Sequence, residues 1–355
     1  MSLEVIDLNN ELRWDRYERL LTNLQGGHPF YKRAFLETFF DNTEPSLLKA
    51  FVFKDRNGNP LIIMPFLHRK LKENHKRSIK YYDVISPYGY SGPYVREGMD
   101  RTILKEFWTT VDLWYQKNNV ISEFIRFDVN FNHNHYSGTL VKSLEVVKGK
   151  LIDLELIWKN YKPSVRKNIK KAIRENLEVS IFYREIPNRV FEEFYAIYIQ
   201  TMDRKSSNRM FYFSKQKLEQ YFKQCEQNIA VAVVYKDEIA ISVELVLLSE
   251  TIVFSFLGGT NSEYFKLRPN NLLKHTIIEW ACENKFSYYV LGGGHKNNDG
   301  IYKYKKAFFK NDIVTFYTGR KIVNNTVYYE YCLNTNDDLQ EITEGFFPRY
   351  REGLV

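Results

Sequence analysis

One order of elements appears twice along the 355 residues. It restricts the fold more than any single motif does. In the first copy, Glu11–Gln25 and Pro29–Phe40 carry helical apolar spacing. Two strands follow, Phe51–Phe53 and Leu61–Leu71, joined across Arg56-Asn57-Gly58-Asn59, where Asn-Gly suits a tight hairpin. Tyr81–Val95 is a strand broken by Pro and Gly into an aromatic loop. Met99–Lys117 then sets Leu104, Phe107, Trp108, Val111 and Trp114 on one helical stripe, and Ile121–Val129 is the closing strand. In the second copy the helices are Val190–Met202 and Lys215–Gln227. The hairpin is Ile229–Tyr235 with Ile239–Leu248, across Lys236-Asp237-Glu238. Ile252–Leu257 ends in Gly258-Gly259-Thr260, Asn271–Asn284 is a helix, and Phe286–Leu291 closes the copy. Such recurrence, with little identity between the copies, argues for duplication. We expect two similar α/β domains with mixed sheets. The first spans 1–150 and is completed by a C-terminal helix over about 325–355; the second spans 151–324.

Composition narrows the function classes. The formal net charge of +8 favours an anionic partner such as phosphate, nucleotide or RNA. Cys225, Cys282 and Cys332 are odd in number and far apart, so they offer neither a disulfide framework nor metal spacing. The longest apolar run, Leu61–Leu67, is too short to span a bilayer. We expect a cytoplasmic protein, with peripheral attachment to the inner face of the membrane through basic residues as a further expectation. His133-Asn134-His135 lacks a third ligand nearby and reads as a polar loop, so no metal is expected. Walker, dinucleotide-binding, nucleophile-elbow and HExxH patterns are absent from the sequence.

The stretch that carries chemistry is Ser287–Phe309, SYYVLGGGHKNNDGIYKYKKAFF. An apolar strand runs into Gly292, Gly293 and Gly294, where no Cβ keeps a ligand from the main chain. A polar loop follows, then a helix bearing Tyr302, Tyr304, Lys305 and Lys306. Between the two copies, Trp158–Arg174 holds seven basic residues (Lys159, Lys162, Arg166, Lys167, Lys170, Lys171 and Arg174) and no acid. Pro163 suits the first helical turn. Arg166, Lys170 and Arg174 then form one row with Lys167 and Lys171 beside it, while Val165, Ile169, Ala172 and Ile173 face the core. That row reads equally as a solvated face or as a phosphate-binding wall.

These segments resemble a known family. YKPSVRKNIKKAIRENLEV, at 161–179, resembles the motif opening the second domain of Fem-like (FemAB/FemX-type) aminoacyltransferases. FLGGTNSEYFKLRPNNLLKHTIIEWACENKFSYYVLGGG and DGIYKYKKAFF are similar to that domain's second half. SPYGYSGPYV and SEFIRFDVNFNH are similar to first-domain motifs. The resemblance covers about Phe51–Tyr317 and implies tandem GNAT-like domains. It further implies transfer of an aminoacyl group from aminoacyl-tRNA onto an amine of a peptidoglycan precursor, with Lys305 supporting the transfer. Two departures stand out. Leu177–Asn208 leaves no room for the long helical arm of some members. Leu267-Arg268-Pro269-Asn270-Asn271 replaces the Gly-rich diphosphate loop of CoA-using GNAT domains, although Arg268 and the helix start at Asn270 can still hold a phosphate.

Acyl transfer to an amine needs a neutral amine, two substrates held together and stabilisation of charge growing on the carbonyl oxygen. Lys305 is assigned the last role, with main-chain N–H groups of Gly292–Gly294 beside it. The glycine loop and Tyr302 shape the acyl end, Tyr304 is a further substrate-binding candidate, and His295 is a candidate base. Arg166, Lys167 and Lys170 are assigned to the phosphate of a nucleotide- or lipid-linked acceptor, or of tRNA. Arg204 reads as an anion contact or a surface salt bridge. No cofactor is required when the donor is aminoacyl-tRNA. The alternatives are an acyl-CoA-dependent N-acyltransferase acting on an amino sugar of a surface polysaccharide, and a non-catalytic RNA- or membrane-surface-binding protein.

Overall fold

The structure, a computed structural model, describes residues 1–25, 27–39, 46–72, 79–96, 98–333 and 342–353. Its chain falls into two units, Met1–Ser143 with Phe316–Val355, and Leu144–Thr315.

The first unit opens with β1 (Ser2–Asp7), α1 (Glu11–Asn23), a 3-10 turn at Pro29–Tyr31, and α2 (Arg33–Thr38). The single helix expected over 29–40 is thus two pieces. Lys32 is extended, with φ −68° and ψ 143°, and interrupts it; Phe40 of that span is outside the described residues. Next come β2 (Ser46–Lys54), β3 (Pro60–Lys70), β4 (Tyr82–Ile85), β5 (Tyr94–Val95), α3 (Ile103–Lys117), β6 (Val120–Arg126) and β7 (Thr139–Lys150), within which the chain enters the second unit. In the β2–β3 turn only Gly58 takes a positive φ, +84°. The Asp55 carboxylate accepts from the N–H groups of Asn57 and Asn59 and holds the turn. Leu104, Phe107, Trp108 and Val111 of α3 are fully buried against the sheet, as their helical stripe requires.

The second unit continues with α4 (Leu154–Asn160), α5 (Pro163–Arg174), β8 (Glu178–Tyr183), α6 (Asn188–Arg204), α7 (Lys215–Cys225), β9 (Ile229–Lys236), β10 (Ile239–Leu248), β11 (Ile252–Thr260), α8 (Pro269–Glu283), β12 (Tyr288–Gly292) and α9 (Gly300–Lys306). The chain then returns through β13 (Ile313–Ile322) to α10 (Asn325–Cys332) and a 3-10 turn at Arg349–Arg351. Of the C-terminal helix expected over about 325–355, residues 334–341 and 354–355 are outside the described residues.

Strand order in the first unit is β1-β2-β3-β4-β6-β13, with β5 on β3. In the second it is β7-β12-β11-β10-β9-β8. Each unit has one parallel neighbour pair in this order, β4 with β6 and β11 with β12. A helix, α3 or α8, makes each crossover, as a parallel connection demands. The order of helix pair, hairpin, strand, helix and strand therefore recurs in both units.

Two features shape the second sheet. Leu245 pairs with Leu257 and Val246 with Ser255, so Phe256 is an extra residue and β11 bulges there. Parallel pairing of β11 with β12 stops at Phe254 and Val290, while β11 runs on to Thr260 and β12 to Gly292. Past this point β11 pairs on its β10 side and β12 on its β7 side, and a wedge opens between them. Gly259 is needed beside it. A Cβ there would meet the Ile197 carbonyl oxygen of α6 at 2.6 Å.

Candidate active site

Lys305 stands over the mouth of this wedge. It lies on α9, whose first turn is held by Asp299. The Asp299 carboxylate accepts from the N–H groups of Tyr302 at 2.7 Å, His295 at 2.7 Å and Lys296 at 3.2 Å. Those bonds hold the Asp299 carboxyl below its ordinary range, the Tyr302 N–H foremost. The Lys305 Nζ donates to the Gly293 carbonyl at 2.7 Å, and a Cβ on Gly292 would sit 3.3 Å from it. Gly292 has φ +80°, a conformation that favours glycine. Burial pulls the Lys305 ammonium down to about 8. The charge of Lys274 pushes the same way, while Glu244 and Asp299 oppose it.

Beneath lies a buried polar cluster. Lys274 of α8 is 7% exposed and Glu244 of β10 is 4% exposed. The Lys274 Nζ donates to Glu244 Oε1 at 2.5 Å, to Ser255 Oγ at 2.9 Å and to Tyr289 Oη at 3.3 Å. Tyr289, wholly buried, donates to the same Glu244 oxygen at 2.7 Å. The cluster draws on β10, β11, α8 and β12, the elements bordering the wedge. Sequence reading missed it. Its signal was a lone acid in the apolar strand ISVELVLL and a lysine on the apolar side of α8.

The remaining expected residues fall into three groups. Tyr302, Tyr304 and Asn270 join Lys305. Tyr302 is buried and donates to Glu145 of β7, and Lys306 Nζ donates to the Tyr302 hydroxyl at 3.2 Å. Tyr304 donates to the Asn270 carbonyl at 2.9 Å and so ties α9 to the start of α8. Asn270 Oδ1 accepts from Ser242 at 3.1 Å, and Ser242 also meets Thr260 at 2.8 Å. Arg204 extends this chain. It donates to the Thr260 carbonyl at 2.8 Å and lies over Phe265 at 4.8 Å, so the surface salt bridge expected for it is replaced by a main-chain contact.

The second group is the basic row on α5. Lys167 and Lys170 are exposed, and with Arg166, Arg174 and Pro163 they border a concavity along the helix. Two expectations change. Arg166 Nη1 reaches back to the carbonyls of Tyr161 at 2.6 Å, Lys159 at 2.9 Å and Trp158 at 3.3 Å. It thereby satisfies the open C-terminal carbonyls of α4. Ile173, expected in the core, is 55% exposed and borders the same concavity, because Val165, Ile169 and Ala172 already fill the buried face. Asn168 of α5 donates to Asn271 of α8 at 3.2 Å, which fixes the row to the start of that helix.

The third group stays apart. The His295 side chain is exposed, and its main chain serves the Asp299 turn. Gly294 packs against the Asp299 carboxylate. The glycine bend therefore wraps the Asp299 carboxylate and offers the Gly293 carbonyl to Lys305. Arg268 caps α8 in the left-handed region at φ 67°, with its side chain exposed. Among the described residues no cluster of three or more His, Cys, Asp or Glu is suited to a metal.

Known proteins with these features agree on the architecture. Residues 163–306, from the start of α5 to the end of α9, match the model of the acetyltransferase (GNAT) domain family. The solved structure of FemX covers 93% of this chain, and this chain 99% of FemX, at TM-score 0.63 and 11% identity. The chain has a tandem GNAT fold. L-PGS from Bacillus licheniformis is similar over 88% of this chain and 94% of its own, at TM-score 0.56 and 15% identity. The C-terminal domain of a candidate lysylphosphatidylglycerol synthetase from Agrobacterium fabrum is similar over 90% and 94%, at TM-score 0.57 and 11% identity. No curated protein matches the sequence. The second unit is thus a GNAT-type acyltransferase domain, and α9 with Lys305 closes the matched region. Among the described residues no helix is long and apolar enough to cross a membrane.

Proposed function

We propose that this chain transfers an aminoacyl group onto an amine of a cell-wall peptidoglycan precursor. The observation that carries the reading is Lys305, a half-buried ammonium held at the glycine bend over the β11–β12 wedge. An ester donor laid along the wedge would bring its carbonyl oxygen to that ammonium. The acceptor nitrogen attacks the carbonyl carbon, the negative charge grows on the oxygen beside Lys305, and the ester oxygen departs with the pair from the broken C–O bond. The nitrogen's surplus proton goes to the departing oxygen or to solvent. An aminoacyl ester is already activated, so orientation and charge stabilisation suffice for rate. Lys305 must be protonated in this role, which a value of about 8 permits near neutrality.

The start of α8 supports an aminoacyl donor over acyl-CoA. Pro269 at the first helical position has no N–H, and the Asn271 N–H is spent on the Arg268 carbonyl at 3.1 Å. Few main-chain donors remain there to cradle a diphosphate. Lys167 and Lys170 supply the exposed charge for a phosphate-bearing acceptor or for tRNA.

The test offers the purified protein aminoacyl-tRNA or acyl-CoA with a nucleotide-linked muropeptide and reads the product mass. The expected product is the acceptor plus one aminoacyl residue, from aminoacyl-tRNA alone. Acylation from CoA, or no product from either donor, would overturn the reading.

A further inference from the structure

We propose that the first unit holds an oxyanion site centred on Arg126, built to take a phosphate or carboxylate group of a ligand. It does not depend on the transfer chemistry.

Arg126 is the last residue of β6. The Ser86–Ser91 segment is fastened to it at both ends. The Arg126 N–H donates to Ser86 Oγ at 2.9 Å, and the Ser91 N–H donates to the Arg126 carbonyl at 3.0 Å. A further bond, from the Ser86 N–H to the Phe124 carbonyl at 2.9 Å, pins the start of the arch. Tyr88 lies midway along it. The sequence had singled out this aromatic loop, and the transfer site of the second unit leaves it unused.

The side chain is the informative part. Its guanidinium lies over the Phe124 ring at 5.1 Å, half-buried. Among the described residues no carboxylate, carbonyl or hydroxyl accepts from it. Other arginines of this unit do find acceptors. Arg69 and Arg351 both donate to Asp83, at 2.8 and 2.5 Å. Asp83 is fully buried and also accepts from Tyr350 at 3.0 Å, so its lone pairs are engaged. Arg320 donates to the carbonyls of Ile342, Glu344 and Gly345. Arg126 is thus a cation to which the described residues supply no anion.

An arginine stacked on a ring at the surface often serves only to cover it. Here burial pushes the guanidinium below its ordinary range. Tyr88 offsets this in part, and the charge of Arg69 adds to it. Crowding a charge beside a second cation, with no counter-ion, is costly unless a ligand completes the site. A guanidinium fork matches the two oxygens of a carboxylate or phosphate, and these bidentate contacts are among the stronger hydrogen bonds available. Phe124 holds the plane of the fork, and Tyr88 brings a phenol to the same place.

The test uses the full chain labelled with nitrogen-15 at arginine. The Nε–Hε signal that disappears in Arg126→Lys is that of Arg126; Arg126→Gln serves if the lysine variant does not fold. Sodium pyrophosphate and sodium acetate are titrated at constant ionic strength. We expect this signal to shift and saturate with pyrophosphate if the ligand group is a phosphate, or with acetate if it is a carboxylate. Tyr88→Phe should weaken the effect about two- to tenfold, the worth of one hydrogen bond. A signal that moves with neither anion overturns the site. So does movement confined to other arginines, such as Arg166 and Arg174 of α5.

Discussion

Removing the Glu244 charge, as Glu244→Leu, should damage the second unit far more than an average strand substitution. Glu244 and Lys274 are 4% and 7% exposed and meet at 2.5 Å. Taking away one member of a buried ion pair typically costs about 3–5 kcal/mol, because the other charge is left in a poor solvent. Lys274 would keep Ser255 at 2.9 Å and Tyr289 at 3.3 Å. Neutral acceptors recover part of the loss, which places the cost near the lower end, about 3 kcal/mol. Lys274→Met should cost a similar amount, since among the described residues Glu244 would keep only the Tyr289 hydroxyl at 2.7 Å. The double variant restores neutrality and leaves two hydroxyls without charged partners. Its loss should fall short of the sum of the singles by about 2 kcal/mol, well above the roughly 0.5 kcal/mol expected between independent sites. Urea unfolding followed by circular dichroism and tryptophan fluorescence measures all four proteins. Additive losses would refute the claim that these residues act as one buried pair.

Three further outcomes follow from the same geometry. The rate of transfer should fall as pH rises through about 8, because Lys305 must stay protonated to stabilise the oxyanion. Lys274→Met removes a neighbouring positive charge and should move that limb to higher pH, whereas Glu244→Gln should move it lower; a pH–rate profile reads both. Gly259→Ala would drive a methyl against the Ile197 carbonyl and should cost about 1–3 kcal/mol in unfolding measurements. Gly292→Ala puts an L-residue at φ +80° and a methyl 3.3 Å from the Lys305 Nζ. It should lower turnover about ten- to a hundredfold, visible as a fall in kcat at saturating donor.

Much of the architecture was legible in periodicity and turn chemistry. The α3 stripe at Leu104, Phe107, Trp108 and Val111 is buried as its spacing requires. The hairpin at Asp237 and Glu238 turns through positive φ at both residues, and the twofold element order was readable before any site was known. The place of Lys305 at the glycine bend was readable because a glycine run and a basic helix are adjacent in sequence. The Glu244–Lys274 pair was not, since its partners are thirty residues apart and meet only when α8 packs on β10. The anchoring of Arg166 Nη1 on α4 was not readable for a related reason. Helical-wheel position gives the face from which a side chain leaves, but not that a long side chain can fold back onto the carbonyls of the preceding helix. Ile173 shows the limit of pattern from the other side: three apolar residues already filled the buried face of α5, and the fourth was left outside.

The measurement closest to the central claim is the single-turnover rate of Lys305→Met with aminoacyl-tRNA and acceptor both saturating. Loss of one preorganised donor to the developing oxyanion should slow the chemical step about a hundred- to a thousandfold, with donor and acceptor affinities little changed. A variant that transfers within threefold of the parent rate, or that fails only through weaker substrate binding, would contradict the role given to Lys305.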